Sequence, residues 1–80
     1  MKIYVLNYEN GKRDAMEIES TKARHIRHNF RSSILYYGRL YCGDLIFNNR
    51  ESALAAWNKR YYSDALNPAE IEWKSEVECI

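Results

Sequence analysis

The sequence predicts one small α+β domain, and three observations carry that expectation. Near the start, two strand-like segments, Lys2–Glu9 and Lys12–Glu19, flank Asn10-Gly11, the strongest short hairpin signal because a type I′ turn needs positive φ at both central residues. Further on, Glu51–Tyr62 has apolar residues at helical spacing behind a capping residue. Finally, residues 70–79 alternate apolar with charged side chains. With the segments between them, the predicted order is ββα-ββα-β. That is a mostly antiparallel sheet with two helices packed on one face.

In the first strand, Ile3 and Val5 lie on one face and Tyr4, Leu6 and Tyr8 on the other. Both faces are largely apolar, which suits a central strand covered on both sides. The return strand turns Met16 and Ile18 inward, with Arg13, Glu17 and Glu19 outward. Ser20 or Thr21 then caps a predicted helix running to about Ser32, with Ala23, Ile26 and Phe30 as its buried stripe. Arg24, Arg27, His28 and Arg31 share a different face of that helix. Ser33–Tyr41, rich in Ile, Leu and Tyr, reads as one strand in which Gly38 marks a bulge or a close approach. Cys42-Gly43-Asp44 is a turn, and Leu45–Phe47 a short strand.

For the second helix, Asn48 and Glu51 form a capping box, and Leu54, Trp57 and Tyr61 a stripe that makes Trp57 a core anchor. The alanines between them let a sheet approach closely. Its stripe has the spacing of Ala23, Ile26 and Phe30. After a loop at Ser63–Pro68, Asn67-Pro68 looks like a helix start, but the alternation of Ile71, Trp73, Val77 and Cys79 with charges predicts a strand.

Eighty residues make a single domain, spanning 1–80, that buries only about 60–65% of its unfolded surface. Three Gly and one Pro argue against disorder. No apolar run approaches the roughly 20 residues of a membrane span, so no membrane association is expected. Two cysteines make no disulfide framework and fit a reducing, cytoplasmic compartment. The net charge of +1 hides an asymmetry: residues 1–40 hold eight Lys/Arg and four Asp/Glu, residues 41–80 four and seven. Between Lys22 and Arg39 there are five cations and no acid. The row of Glu70, Glu72, Glu76 and Glu78 reads as an exposed strand face, because a nucleic-acid mimic needs strong overall negative charge.

No nucleophile–base arrangement, P-loop, GxGxxG or HExxH is present, so neither an enzyme nor a cofactor is expected. His25, His28, Cys42 and Cys79 lack the close cysteine pair of a zinc site, and no metal is expected. What remains is a binding surface. Seven tyrosines in so short a chain cannot all face one core, and Tyr and Arg are enriched at interface hot spots. The candidate contact residues are Arg24, Arg27, His28, Arg31, Tyr36, Tyr37, Arg39 and Tyr41.

Cys42-Gly43, Phe47 and the segment Glu51–Arg60, ESALAAWNKR, resemble the end of the Lar-like restriction-alleviation family of small phage and prophage proteins. The likeness covers about residues 36–60, without the family's paired zinc-ribbon cysteines. It implies a phage-type protein in the cytoplasm of a bacterial host. Such a protein binds and inhibits one host defence protein, as anti-restriction and anti-CRISPR proteins do. The alternative expectation is a small nucleic-acid-binding module using Lys22–Arg39, with aromatics stacking on bases and arginines neutralising phosphates. The chain is expected to be a monomer or a homodimer.

Overall fold

In a computed structural model of the protein, residues 1–60 and 62–74 are described. The predicted hairpin is present: β1 (Lys2–Glu9) pairs antiparallel with β2 (Lys12–Glu19), from Lys2 opposite Glu19 to Glu9 opposite Lys12. Asn10 and Gly11 have φ of 53° and 75°, the two positive values that a type I′ turn requires.

Beyond this hairpin the expected order fails. The stretch predicted as the first helix is instead β3 (Ala23–His28), reached through a short 3-10 turn at Ser20–Lys22. It pairs with β4 (Arg31–Tyr36) across a two-residue turn in which Asn29 has φ 57°. Three physical reasons disfavour the helix. Residues 24–33 hold His, Asn, Ser and a β-branched Ile, all middling or poor helix formers. Lys22 and Arg24 would put positive charge at the helix N-terminus, against its dipole. Asn29 adopts the left-handed region that ends regular structure. The supposed stripe is also not buried: Ala23 is, but Ile26 is 40% exposed and Phe30 fully so.

The single strand expected over Ser33–Tyr41 is likewise two. Tyr37 and Gly38, with φ of 49° and 76°, form a second turn of the Asn10-Gly11 kind between β4 and β5 (Arg39–Cys42). After the Gly43-Asp44 turn, the two residues of β6 (Ile46–Phe47) pair with Val5 and Tyr4. Among the described residues the architecture is therefore two three-stranded antiparallel sheets, β2-β1-β6 and β3-β4-β5, with one ten-residue helix, α1 (Arg50–Lys59). It is mostly β, where one sheet under two helices was expected.

The sheets pack on each other through Ile3, Val5, Ile18 and Ile46 of the first and Ala23, Ile34 and Tyr41 of the second, with Ile71 closing the cluster. On its other face the first sheet carries α1. There Ala15 and Phe47 meet Ala53 and Ala56, with Tyr4, Leu6 and Leu54 alongside. Strand β1 is central and covered on both faces, which is why both of its faces are apolar.

The helix itself differs in detail from expectation. Asn49, not Asn48, is the N-cap, its side chain accepting from the Ser52 N–H at 2.8 Å. Its buried stripe is Ala53 and Ala56, small residues that let the backbone approach the sheet. Trp57 lies half-buried at the rim, donating from Nε1 to the Asp14 carbonyl at 2.9 Å, with the Arg13 guanidinium 5.5 Å from its ring centroid.

The chain then returns through a 3-10 turn at Pro68–Glu70, where the Asn67 side chain accepts from the Ala69 N–H. Ile71 is buried and Trp73 half-buried while Glu72 and Lys74 are exposed, so the alternation does sort these side chains by face. No strand forms over residues 71–74, although the Lys74 N–H donates to the Ala23 carbonyl at 2.9 Å. The rest of the predicted strand, with Val77 and Cys79, lies outside the described residues, as does Tyr61 of the predicted stripe.

Candidate functional site

All eight candidate contact residues fall on β3, β4, β5 or the Tyr37-Gly38 turn, and cross-strand register decides which of them come together. Residues opposite each other in an antiparallel pair share a face, and faces alternate along each strand. On the inward face the rows are Ala23–Tyr36–Arg39, then His25–Ile34–Tyr41, then Arg27–Ser32. On the outward face they are Arg24–Leu35–Leu40, then Ile26–Ser33–Cys42, then His28–Arg31. The predicted set is thus divided. Arg24, His28 and Arg31 share the outward face; Arg27, Tyr36, Arg39 and Tyr41 belong to the inward one. Tyr37 stands 73% exposed at the turn between them.

The inward tyrosines are committed to the fold. Tyr41 is buried in the core, and Tyr36 packs against it and meets Tyr37 edge-on, ring centroids 4.5 Å apart. Arg39 lies 5.5 Å from the centre of the Tyr41 ring and pairs with Glu9 of β1 at 2.9 Å, tying the two sheets together. The hydrogen bond that Arg39 donates to Glu9, and then the charge of Glu9, hold the Arg39 guanidinium above its ordinary pKa. His25 stacks on Trp73 at 5.2 Å and hydrogen-bonds Ser32, whose hydroxyl also donates to the Gly43 carbonyl at 3.1 Å. Arg27, with His25, Ser32, Asp44 and Pro68, lines a cleft of about 400 Å³ at this end of the inward face.

The outward face is different in kind. Leu40 is 62% exposed and Ile26 40%, with Leu35 half-buried between them. Cations flank this aliphatic strip, and no residue of β3, β4 or β5 is acidic. His28 and Arg31 stand directly opposite each other at the turn end of the β3-β4 hairpin. Two shallow clefts mark the ends of the face. One of about 570 Å³ is lined by Ile26, His28, Asn29, Phe30, Arg31 and Ser33. The other, of about 380 Å³, is lined by Thr21, Lys22, Arg24, Leu35, Tyr37, Gly38 and Lys74.

Ile26, Leu35 and Leu40 were not among the sequence candidates. Reading Asn29-Phe30 and Tyr37-Gly38 as two-residue turns would have found them, because strand parity then assigns every face.

His25 and His28 project to opposite faces of β3, and among the described residues no three His, Cys, Asp or Glu side chains group as metal ligands. No described helix is long and apolar enough to cross a membrane. Comparison with known proteins finds no relative: no family model, no curated protein and no solved structure matches the chain.

Proposed function

We propose that this protein is a non-enzymatic binding module that docks one partner protein on the outward face of β3-β4-β5. One observation carries the reading. An exposed aliphatic strip, Ile26–Leu35–Leu40, is flanked by Arg24, His28 and Arg31 on a sheet without a carboxylate of its own. An apolar centre within a polar rim is the anatomy of a protein interface, and the rim's sign selects an acidic partner. The partial resemblance to Lar-like proteins supports a setting for it. In that setting the protein is phage-derived and cytoplasmic, and it blocks a host defence protein by contact, as anti-restriction and anti-CRISPR proteins do.

Nucleic-acid binding through the same stretch is the weaker reading. A single-strand platform offers aromatic rings on which bases stack. Here the rings of Tyr36 and Tyr41 face the core, the exposed rings of Phe30 and Tyr37 stand apart in the turns at opposite ends of the face, and the centre between them is aliphatic.

The test is affinity capture from a bacterial lysate with three immobilised variants. Wild-type protein and Arg27→Glu, altered on the inward face, should retain one acidic protein in stoichiometric amount. Leu40→Glu should lose it, weakening binding by at least about tenfold without changing the melting temperature. Retention by Leu40→Glu as strong as by wild type would overturn this reading. So would capture of nucleic acid alone, with a steep salt dependence.

A further inference from the structure

On the far side of the molecule, between α1 and the first sheet, a second surface has another character. A cleft of about 240 Å³ is lined by Leu6, Arg13, Ala56, Trp57, Arg60 and Tyr62. Leu6 and Ala56 give it an apolar floor. Two aromatic residues, Trp57 and the 47%-exposed Tyr62, stand beside it, and two arginines, Arg13 and Arg60, complete its lining. The Trp57 ring is held in place, with Nε1 bonded to the Asp14 carbonyl and Arg13 over one face. Arg60 is held too, as the left-handed C-cap of α1 with φ 51°, a conformation that glycine usually supplies. A non-glycine residue there carries a local conformational cost, of the kind that collects at functional sites.

Charge complementarity states what would occupy the cleft. No carboxylate is among its lining residues, and the nearby acids are engaged elsewhere: Asp14 with Arg50 at 2.6 Å and Asp64 with Ser52 at 3.3 Å. Guanidinium forks match carboxylate and phosphate groups, while ring walls and an aliphatic floor match a flat apolar body. The volume is several times the roughly 30 Å³ share of one water, yet below the 300–1,000 Å³ of ordinary drug-sized pockets. We infer that the cleft between α1 and β1–β2 binds a small aromatic anion, a single flat ring system bearing a carboxylate or phosphate group, with Arg13 and Arg60 on the acid and Trp57 and Tyr62 against the ring. This site does not rest on the docking face of the second sheet, and either can exist without the other.

The indole N–H resonances of the two tryptophans give the readout, in NMR titrations with benzoate, phenyl phosphate, adenosine monophosphate and inorganic phosphate. Trp57 should shift saturably with the aromatic anions, while Trp73, whose Nε1 donates to the Pro68 carbonyl, should not move. Inorganic phosphate, lacking the ring, should bind at least about tenfold more weakly than phenyl phosphate. The rank order among the three aromatic probes then identifies the source as a carboxylate, a simple phosphate ester or a nucleotide. Arg60→Gly suits the left-handed cap while deleting the guanidinium, and should weaken binding by about tenfold or more in a protein that stays folded. Absence of a saturable Trp57 shift with every aromatic probe would overturn the inference. So would equal binding of inorganic phosphate, or an undiminished affinity in Arg60→Gly.

Discussion

At the scale of single residues, the largest side chains are not always the ones that matter most. Trp57 carries the obvious signal of a core anchor, but its ring sits at the edge of α1, half-exposed, with a hydrogen bond and a cation contact. Trp57→Ala should therefore cost only about 1–2 kcal/mol and leave a folded protein. Phe47→Ala, which opens a cavity beneath the helix at a fully buried site, should cost about 3–5 kcal/mol, much of the roughly 5 kcal/mol a domain of this size has in total. Urea melts of the two variants give the comparison directly. Gly43 is a second such position. A Cβ there would meet the Ser32 Oγ at 3.0 Å and the Ile34 Cγ1 at 3.1 Å, so Gly43→Ala should lower stability by about 1 kcal/mol by crowding the end of β4. At Arg60 the sign reverses. Arg60→Gly should raise stability by roughly 0.5–1 kcal/mol in the same melts, because glycine adopts φ 51° without a Cβ penalty.

At the scale of elements, the sequence was most legible where one signal was strong and uncontested. Asn10-Gly11 between two strand-like runs places the first hairpin and its register, and the alanine-rich segment behind Asn48-Asn49 places the start of α1 to within a residue, although the helix ends at Lys59 and not at the expected Tyr62. Residues 23–42 were misread because Ala23, Ile26 and Phe30 fit a helical period by chance. The true signals, Asn29-Phe30 and Tyr37-Gly38, are weaker turn pairs than Asn-Gly. Tertiary pairing then overrode local periodicity, since β3 gains its stability from β4 and from Ala23 entering the core between the sheets. The first hairpin also carries a pH dependence. The Tyr4 hydroxyl donates to its cross-strand neighbour Glu17 at 2.8 Å, and that hydrogen bond is the main cause raising the Tyr4 pKa in the folded state. A raised folded pKa favours the neutral phenol. The associated stability is complete below the unfolded tyrosine value of about 10 and is lost as pH rises through the folded value. Alkaline melts should show that loss in the wild type, with a smaller alkaline loss in Tyr4→Phe.

At the scale of the whole molecule, α1, the first sheet and the second sheet form three layers, and this stacking explains which surfaces are open. The first sheet is covered on both faces, by α1 and by the second sheet; among the described residues the second is covered on one. The candidate residues could be named as one stretch because an acid-free run of cations is visible in any conformation. Their division between two faces was hidden, because it depends on strand parity, and parity depends on the turns. The measurement that bears most directly on the docking face is site-specific photo-crosslinking in bacterial cells. A photoreactive residue at Leu40, on the outward face, should form an adduct with one acidic host protein, while the same residue at Arg27, on the inward face, should form none. Adducts with that protein from Arg27 but not from Leu40, or adducts to nucleic acid alone, would contradict the assignment of the outward face as a protein interface.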